Sequence, residues 1–298
     1  MPISHVSDTL TMDHSRPMQN ELILLGTKGG PRPSNGRSNP ANLISYRGRN
    51  YLIDCGYGAT RQLLAVGVPA HEIDAIFVTH HHSDHTLELG PLLYNAWIGG
   101  RRRPIDVWGP PPLRLLIDRL FQTYRFEIET RMLDEGRPDP LPLYRVQEIE
   151  CSSILSDRDG LTITAANVCH PPLQQAFAYR FDLPNRSLVL SGDTAACAEL
   201  IELAKGADIL VHEVMHLRGI EKLVASHPDA RRLRAHLIAS HTTTEEVGKI
   251  ATAAKVGLLV LNHLVPGDDA SICDHEWLTA PRADFAGQVL LGHDLMRL

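Results

Sequence analysis

The segment His80-x-His82-x-Asp84-His85 places four potential metal ligands within six residues. In an extended backbone His80 and His82, two apart, project to the same side. Asp84 and His85 follow a polar residue and belong to a turn, or to the first turn of a helix, that points elsewhere. One short segment can therefore offer two ligands to each of two cations. Imidazole and carboxylate donors suit zinc, and manganese or iron also fit them. The chemistry in view is hydrolysis, because a metal pair sharing a water lowers its pKa and supplies a hydroxide for attack on sulfur, phosphorus or a carbonyl carbon. A solvated histidine-rich loop is the plainer reading, and only further ligands set it aside.

Further ligands stand at the ends of apolar runs. Asn167-Val168-Cys169-His170, Leu188-Val189-Leu190-Ser191-Gly192-Asp193 and Leu259-Val260-Leu261-Asn262-His263 each stop abruptly in a polar group, as do Phe77-Val78-Thr79-His80 and Leu210-Val211-His212-Glu213. Short Val/Leu/Ile runs read as buried strands. Groups at their ends are carried by rigid elements along one edge of the molecule. Taken singly, His170, Asp193 or His263 is a strand-end polar residue; taken with the histidine cluster, they complete a two-metal site. A carboxylate such as Asp193 can bridge two cations and lower their repulsion, which neutral imidazoles cannot.

The elements that must position these groups give an α/β chain. Glu21–Gly26 reads as an edge strand, followed over residues 27–40 by a Gly/Pro/Ser/Asn-rich loop that is either a surface excursion or part of a site rim. Asn42–Ser45 and Tyr51–Asp54 read as a hairpin turned at Arg47-Gly48-Arg49-Asn50. Gly58–Val66 is helical with Gly67 as its stop, and Ile76–Thr79 feeds the histidine cluster. Leu161–Val168, Ser187–Leu190, Ile209–Val211 and Leu258–Leu261 are strands. Thr242 and Thr243 precede Glu245 and Glu246 at capping-box spacing, with Val247, Ile250, Ala251 and Ala254 following at helical period. Residues 121–160, rich in Pro, Asp and Glu, form a candidate insertion. Strands of both halves deliver site residues, so residues 21–298 read as a single domain behind a loose N-terminal arm over residues 1–20.

Composition sets bounds. A chain of 298 residues, 43% hydrophobic and 21% charged, is ordinary for a globular protein. A formal charge of −6 gives no global electrostatic reason to bind nucleic acid or an anionic membrane. Five scattered cysteines without a C-x-x-C pair argue against a disulfide framework or a cysteine-type zinc site. No segment has the length of a signal peptide core or a membrane span, so the expected location is cytoplasmic, away from membranes.

The order His-x-His-x-Asp-His, then His170, then Ser191-Gly192-Asp193-Thr194, then His263 resembles the metallo-β-lactamase superfamily over roughly residues 20–298. That resemblance implies a four-layer αββα sandwich with a binuclear metal site at one sheet edge. It implies two Zn2+, the first held by His80, His82 and His170, the second by Asp84, His85 and His263, with Asp193 bridging. Val107-Trp108-Gly109-Pro110, Val211-His212-Glu213 and Ser240-His241-Thr242 are similar to the ribonuclease Z branch, which includes arylsulfatase-like and small phosphodiesterase enzymes. There the residue matching His241 approaches the scissile group, and the residue matching Glu213 supports it. The catalytic set implied is Asp84, His241 and Glu213. The plainer alternatives are a solvent-exposed histidine at a helix start and a buried structural carboxylate. His212 and His216 read as structural, and His81 as facing away from the ligands. Asp54 is either a turn former or the partner that fixes a ligand imidazole's tautomer. Relatives in this branch are often dimers, which implies a homodimer.

Substrate is read from charge. An endonuclease acting on transfer-RNA 3′ ends needs a basic exosite, because phosphate contacts dominate affinity. Residues 121–150 carry four arginines (125, 131, 137, 145) against seven acids, and no Gly/Lys-rich arm is present. Arg101-Arg102-Arg103 reads as a solvated loop. The expected substrate is therefore a small organic sulfate or phosphate ester, with nucleic acid disfavoured as a partner. The alternatives are the tRNA endonuclease itself, a lactone or thioester hydrolase, and a non-catalytic metal-binding module. A redox di-iron role is disfavoured, because His82 stands where flavoprotein-linked relatives carry a glutamate.

Overall fold

Leu188, Val189 and Leu190 show why the apolar runs lack alternation. Leu188 and Leu190 pack into the space between two sheets, whereas Val189 faces helices on the opposite side. A strand covered on both faces takes apolar side chains at successive positions. The structure, a computed structural model, describes residues 20–158 and 160–298.

In chain order the first half supplies β1 (Glu21–Gly26), β2 (Ala41–Tyr46), β3 (Arg49–Ile53), α1 (Ala59–Ala65), β4 (Ile73–Phe77), α2 (Ser83–Thr86), α3 (Leu89–Ile98), β5 (Ile105–Gly109), α4 (Leu113–Thr123), α5 (Arg125–Glu135) and β6 (Tyr144–Glu148). The second half opens with β7 (Ser153–Arg158), β8 (Leu161–Asn167), β9 (Phe177–Leu183), β10 (Arg186–Leu190), α6 (Ala198–Leu203) and β11 (Ile209–Met215). It closes with α7 (Leu217–Ala225), α8 (Leu233–Ser240), α9 (Thr244–Ala254), β12 (Leu258–Val265), α10 (Asp274–Asp284), β13 (Gln288–Leu291) and β14 (Met296–Arg297).

Two seven-stranded sheets result, ordered β14-β1-β2-β3-β4-β5-β6 and β13-β12-β11-β10-β9-β8-β7. Between them Phe77 meets Tyr179 and Phe181 edge-on, each with ring centroids 5.4 Å apart. Outside the first sheet, Leu63, Leu92, Leu93, Trp97 and Phe121 pack under the helices of the first half. Outside the second, Leu200, Val247, Ala251 and Trp277 do the same. This is the αββα sandwich expected from the sequence. The capping box forms at Thr243 and Glu246, and the hairpin turns on Arg47 and Gly48, both at positive φ.

Two features differ from the sequence reading. β1 is not an edge, because β14 pairs Ile23 with Arg297 and Leu24 with Met296. Residues 121–160 are not an insertion: they contain α5, β6 and β7, and the two strands close the far edges of the two sheets. In β6 buried Tyr144 and Val146 alternate with exposed Arg145 and Gln147, so no apolar run announces the strand. Residues 1–19 of the expected arm lie outside the described residues. Among the described residues no helix is long and apolar enough to cross a membrane.

Candidate metal centre

Segment 78–80 leaves β4 and ties the two sheets together. Val78 N–H donates to the Trp108 carbonyl (2.7 Å), the Tyr179 hydroxyl donates to the Val78 carbonyl (2.8 Å), and Phe177 N–H donates to the Thr79 carbonyl (2.9 Å). His80 follows, fully buried. His82 stays extended (φ −65°, ψ 148°) directly before α2, whose single turn carries Asp84 and His85.

The other candidate ligands arrive from the second sheet. His170 follows β8, and Asp193 follows β10 through Gly192 at φ +58°, where a Cβ would meet the Phe177 carbonyl oxygen at 2.8 Å. Pairing between β11 and β12 slips by one residue: Glu213 opposes Asn262 while Val214 opposes Leu264. His263 is thus the extra residue of a bulge, at φ +42°, and a bulge re-aims its side chain out of the sheet.

The donor atoms converge in two groups. His80 Nε2 and His82 Nδ1 lie 3.0 Å apart, His82 Nδ1 and His170 Nε2 3.1 Å, and His80 Nε2 is 3.6 Å from Asp193 Oδ2. In the second group Asp193 Oδ1 is 3.3 Å from His85 Nε2 and 3.2 Å from His263 Nε2. Asp84 Oδ2 is 3.8 Å from His85 Nε2 and 3.4 Å from His263 Nε2. Nitrogen ligands on one tetrahedral zinc stand about 3.4 Å apart at Zn–N bonds of roughly 2.0–2.1 Å, so both groups suit one ion each, with the oxygens of Asp193 divided between them. The donor chemistry agrees. His85 Nε2, Asp193 Oδ1 and His263 Nε2 are buried without a hydrogen-bond partner among the described residues, an arrangement costing about 1–3 kcal/mol per group unless something is bound.

Hydrogen bonds fix which ring nitrogen is free. Asp54 Oδ2 accepts His85 Nδ1–H (2.8 Å), the Ser240 carbonyl accepts His170 Nδ1–H (2.8 Å), and Thr79 Oγ1 accepts His80 Nδ1–H (3.0 Å). In its neutral form each of these rings therefore presents Nε2 as a lone pair. Burial and the neighbouring imidazoles hold His80 well below the usual histidine range and His82 down at about 4, so both rings are neutral at pH 7. His81 faces away, donating to the Pro110 carbonyl (2.7 Å).

The loop over 27–40 is a site rim. Gly30 N–H donates to Asp84 Oδ2 (2.8 Å), and at Gly29 a Cβ would stand 2.6 Å from the His263 ring. Only a glycine lets the rim pass so close.

His241 is not an exposed helix-start residue. It lies extended between α8 and α9 and is only 6% exposed. Its ring stacks on His263 at 5.8 Å and meets His170 edge-on at 5.1 Å. Glu213 Oε1 accepts His241 Nδ1–H and the Thr194 and Thr242 amide N–H groups, each at 3.1 Å. Burial alone would lower the His241 pKa, but the Glu213 carboxylate, helped by Asp193 and Asp84, lifts it to about 9. His212, buried, and His216, half-buried, lie away from both groups, His212 donating to the Glu213 carbonyl and His216 packed against Trp277.

A further histidine went unread in the sequence. His236 on α8 has its ring 6.2 Å from His82 and 6.3 Å from His170. Its signal was the four-residue spacing to Ser240, directly before the Ser240-His241-Thr242 motif.

A beta-lactamase superfamily domain model matches residues 49–264. The chain belongs to the metallo-β-lactamase superfamily. It is 34% identical to a ribonuclease Z of Mycobacterium marinum over 281 residues, covering 93% of this chain and 98% of that one. A ribonuclease Z of Mycobacterium avium is also 34% identical, with 93% and 97% covered. Among solved structures, YhfI of Bacillus subtilis, a metallo-beta-lactamase fold protein, superposes with a TM-score of 0.69 at 21% identity, covering 93% of this chain and 98% of that one. The short form of human tRNase Z superposes at 0.67 and 22% identity, with the same coverage.

Hydrolase-family membership accords with the sequence reading. The small-ester substrate and the exclusion of nucleic acid do not survive: curated relatives this similar over nearly the whole chain are ribonucleases. The excess of acids over arginines in residues 121–150 describes that segment alone. Glu127, Glu129 and Glu135 of α5 are ion-paired to Arg125, Arg131 and Arg137, which cancels as many arginines as acids within the segment and leaves its charge no guide to the surface around the site. The arylsulfatase-like refinement has no counterpart in these relatives.

Proposed function

We propose that this protein is a metal-dependent endoribonuclease that hydrolyses phosphodiester bonds in transfer-RNA precursors, a reading supported by its ribonuclease Z relatives and by its structural likeness to human tRNase Z. The observation that carries the reading is the position of His241: buried, held by Glu213 and stacked on His263, beside seven converging ligand side chains. We assign His80, His82 and His170 to one ion, Asp84, His85 and His263 to the other, and Asp193 to both. Zn2+ suits this donor set, and Mn2+ or Fe2+ suit it as well. Bound metal supplies an acidified water and compensates charge on the phosphate oxygens.

The protein's own groups do the rest. Asp84, oriented by the Gly30 amide, positions the attacking water, whose oxygen bonds to phosphorus as the ester P–O bond breaks. The electron pair of that bond stays on the leaving ribose oxygen. His241 gives Nδ1–H to Glu213, which leaves Nε2 to hand its proton to that oxygen. Ligands drawn from both sheets support treating residues 21–298 as one functional unit.

The test is cleavage of a precursor tRNA carrying a 3′ extension by the zinc-loaded protein. Defined cleavage that disappears together with bound zinc in His82→Ala is expected. A zinc-loaded wild type that leaves all such precursors intact overturns the reading.

A further inference from the structure

Arg232, His236 and Ser240 recur at four-residue spacing along α8 and its N-terminal cap, and so share one face. The C-terminal end of this face is fixed to the candidate metal centre. The Ser240 carbonyl accepts His170 Nδ1–H at 2.8 Å, and the Ser240 hydroxyl donates to the Pro171 carbonyl. One turn back, the half-buried His236 ring stands 6.2 Å from His82, 6.3 Å from His170 and 6.4 Å from His241. One further turn back, about 6 Å along the helix axis, is Arg232, with Arg231 beside it. His236 and both arginines line an open depression of about 480 Å³, with Asp229, Ala230 and Leu233 as its other walls.

The arginines have no structural task. Both are exposed, and among the described residues neither guanidinium has a hydrogen-bond or ion-pair partner. The contrast is Arg234 on the same helix, which is paired to Glu221 at 2.7 Å. Two unpaired guanidiniums thus stand at the end of a path that runs over His236 to His82. The guanidinium fork matches a phosphate in geometry and charge.

We infer that Arg231 and Arg232, with His236 between them and the metal centre, form a phosphate-binding ledge that holds the RNA backbone next to the scissile phosphate. This rests on the endoribonuclease reading and adds to it the residues that grip the substrate. It also locates the basic surface that the sequence seemed to lack: two arginines beside the site in space, not a charged arm. Contacts with backbone phosphate carry no base information, so the ledge acts alike on different RNA sequences.

The experiment measures the salt dependence of precursor-tRNA binding and cleavage by zinc-loaded wild type, R231A/R232A, R231K/R232K and R234A. Each lost phosphate contact makes the log–log salt slope shallower by about one. The alanine pair is expected to weaken binding about tenfold or more at moderate salt and to flatten the slope by about 1.5–2. The lysine pair, keeping the charge, is expected to restore most of the slope, and R234A to match wild type. Should the alanine pair fail to fold, R231Q/R232Q carries the same expectation. Wild type that cleaves RNA while the alanine pair keeps its full slope overturns the ledge alone. Wild type that neither binds nor cleaves RNA overturns the endoribonuclease reading and the ledge with it.

Discussion

Asp54 holds His85 from a strained position. It sits at φ +62°, and its Oδ2 accepts His85 Nδ1–H at 2.8 Å while Oδ1 accepts the Thr79 amide N–H at the same distance. One carboxylate thus orients a candidate ligand and anchors the strand end that precedes His80. Asp54→Ala is expected to weaken zinc binding about 10- to 100-fold. Competition with a chromophoric chelator measures this, and unaltered affinity would remove Asp54 from the metal centre.

His241 and Glu213 act on the leaving group in this account, not on metal retention. His241→Ala is expected to keep its zinc while cleaving RNA about 10²–10⁴-fold more slowly. An activated aryl phosphodiester, whose leaving group needs no proton, is expected to lose far less. Equal losses on both substrates would end the acid role of His241.

Gly29 tests the rim. A Cβ there would lie 2.6 Å from Cε1 and Nδ1 of His263 and 2.5 Å from a Val265 methyl, so Gly29→Ala is expected to displace the His263 ring. Elemental analysis is expected to show zinc falling from two equivalents toward one. Two full equivalents with unchanged activity would mean that the rim yields instead.

Removal of metal leaves the convergent donors without a partner. Ligand saturation at about a thousandfold above Kd stabilises by roughly 4 kcal/mol per site. At about 2–4 °C per kcal/mol for a large domain, chelation is expected to lower Tm by about 10 °C or more, with recovery on adding zinc. A melting curve indifferent to chelation would show that the folded protein holds no metal there.

The convergence of these donor groups was legible because of where they stand. Asp193 and His263 end or interrupt strands buried on both faces, where an apolar run points directly at them, and His80 and His170 follow the short apolar pairs Phe77-Val78 and Val168-Cys169 at the ends of β4 and β8. The αββα layering was implied by the resemblance of the motif order to the metallo-β-lactamase superfamily, while the runs themselves indicated only buried strands. Half-exposed β6 and two-residue β14 gave no such signal, which is why residues 121–160 read as an insertion and β1 as an edge. His236 escaped because a histidine on a mostly exposed helix looks solvated until the helix is seen to end on His170. Substrate was misjudged for a related reason: sequence reports how many charges a segment has, not which face they share or which acids neutralise them.

Anomalous diffraction at the zinc edge, from crystals of the metal-loaded protein, tests the central claim most directly. The expected result is two peaks, one within about 2.0–2.3 Å of His80, His82 and His170 and one equally close to Asp84, His85 and His263, with Asp193 reaching both. A map with no peak among these side chains, or with zinc bound elsewhere, would contradict it.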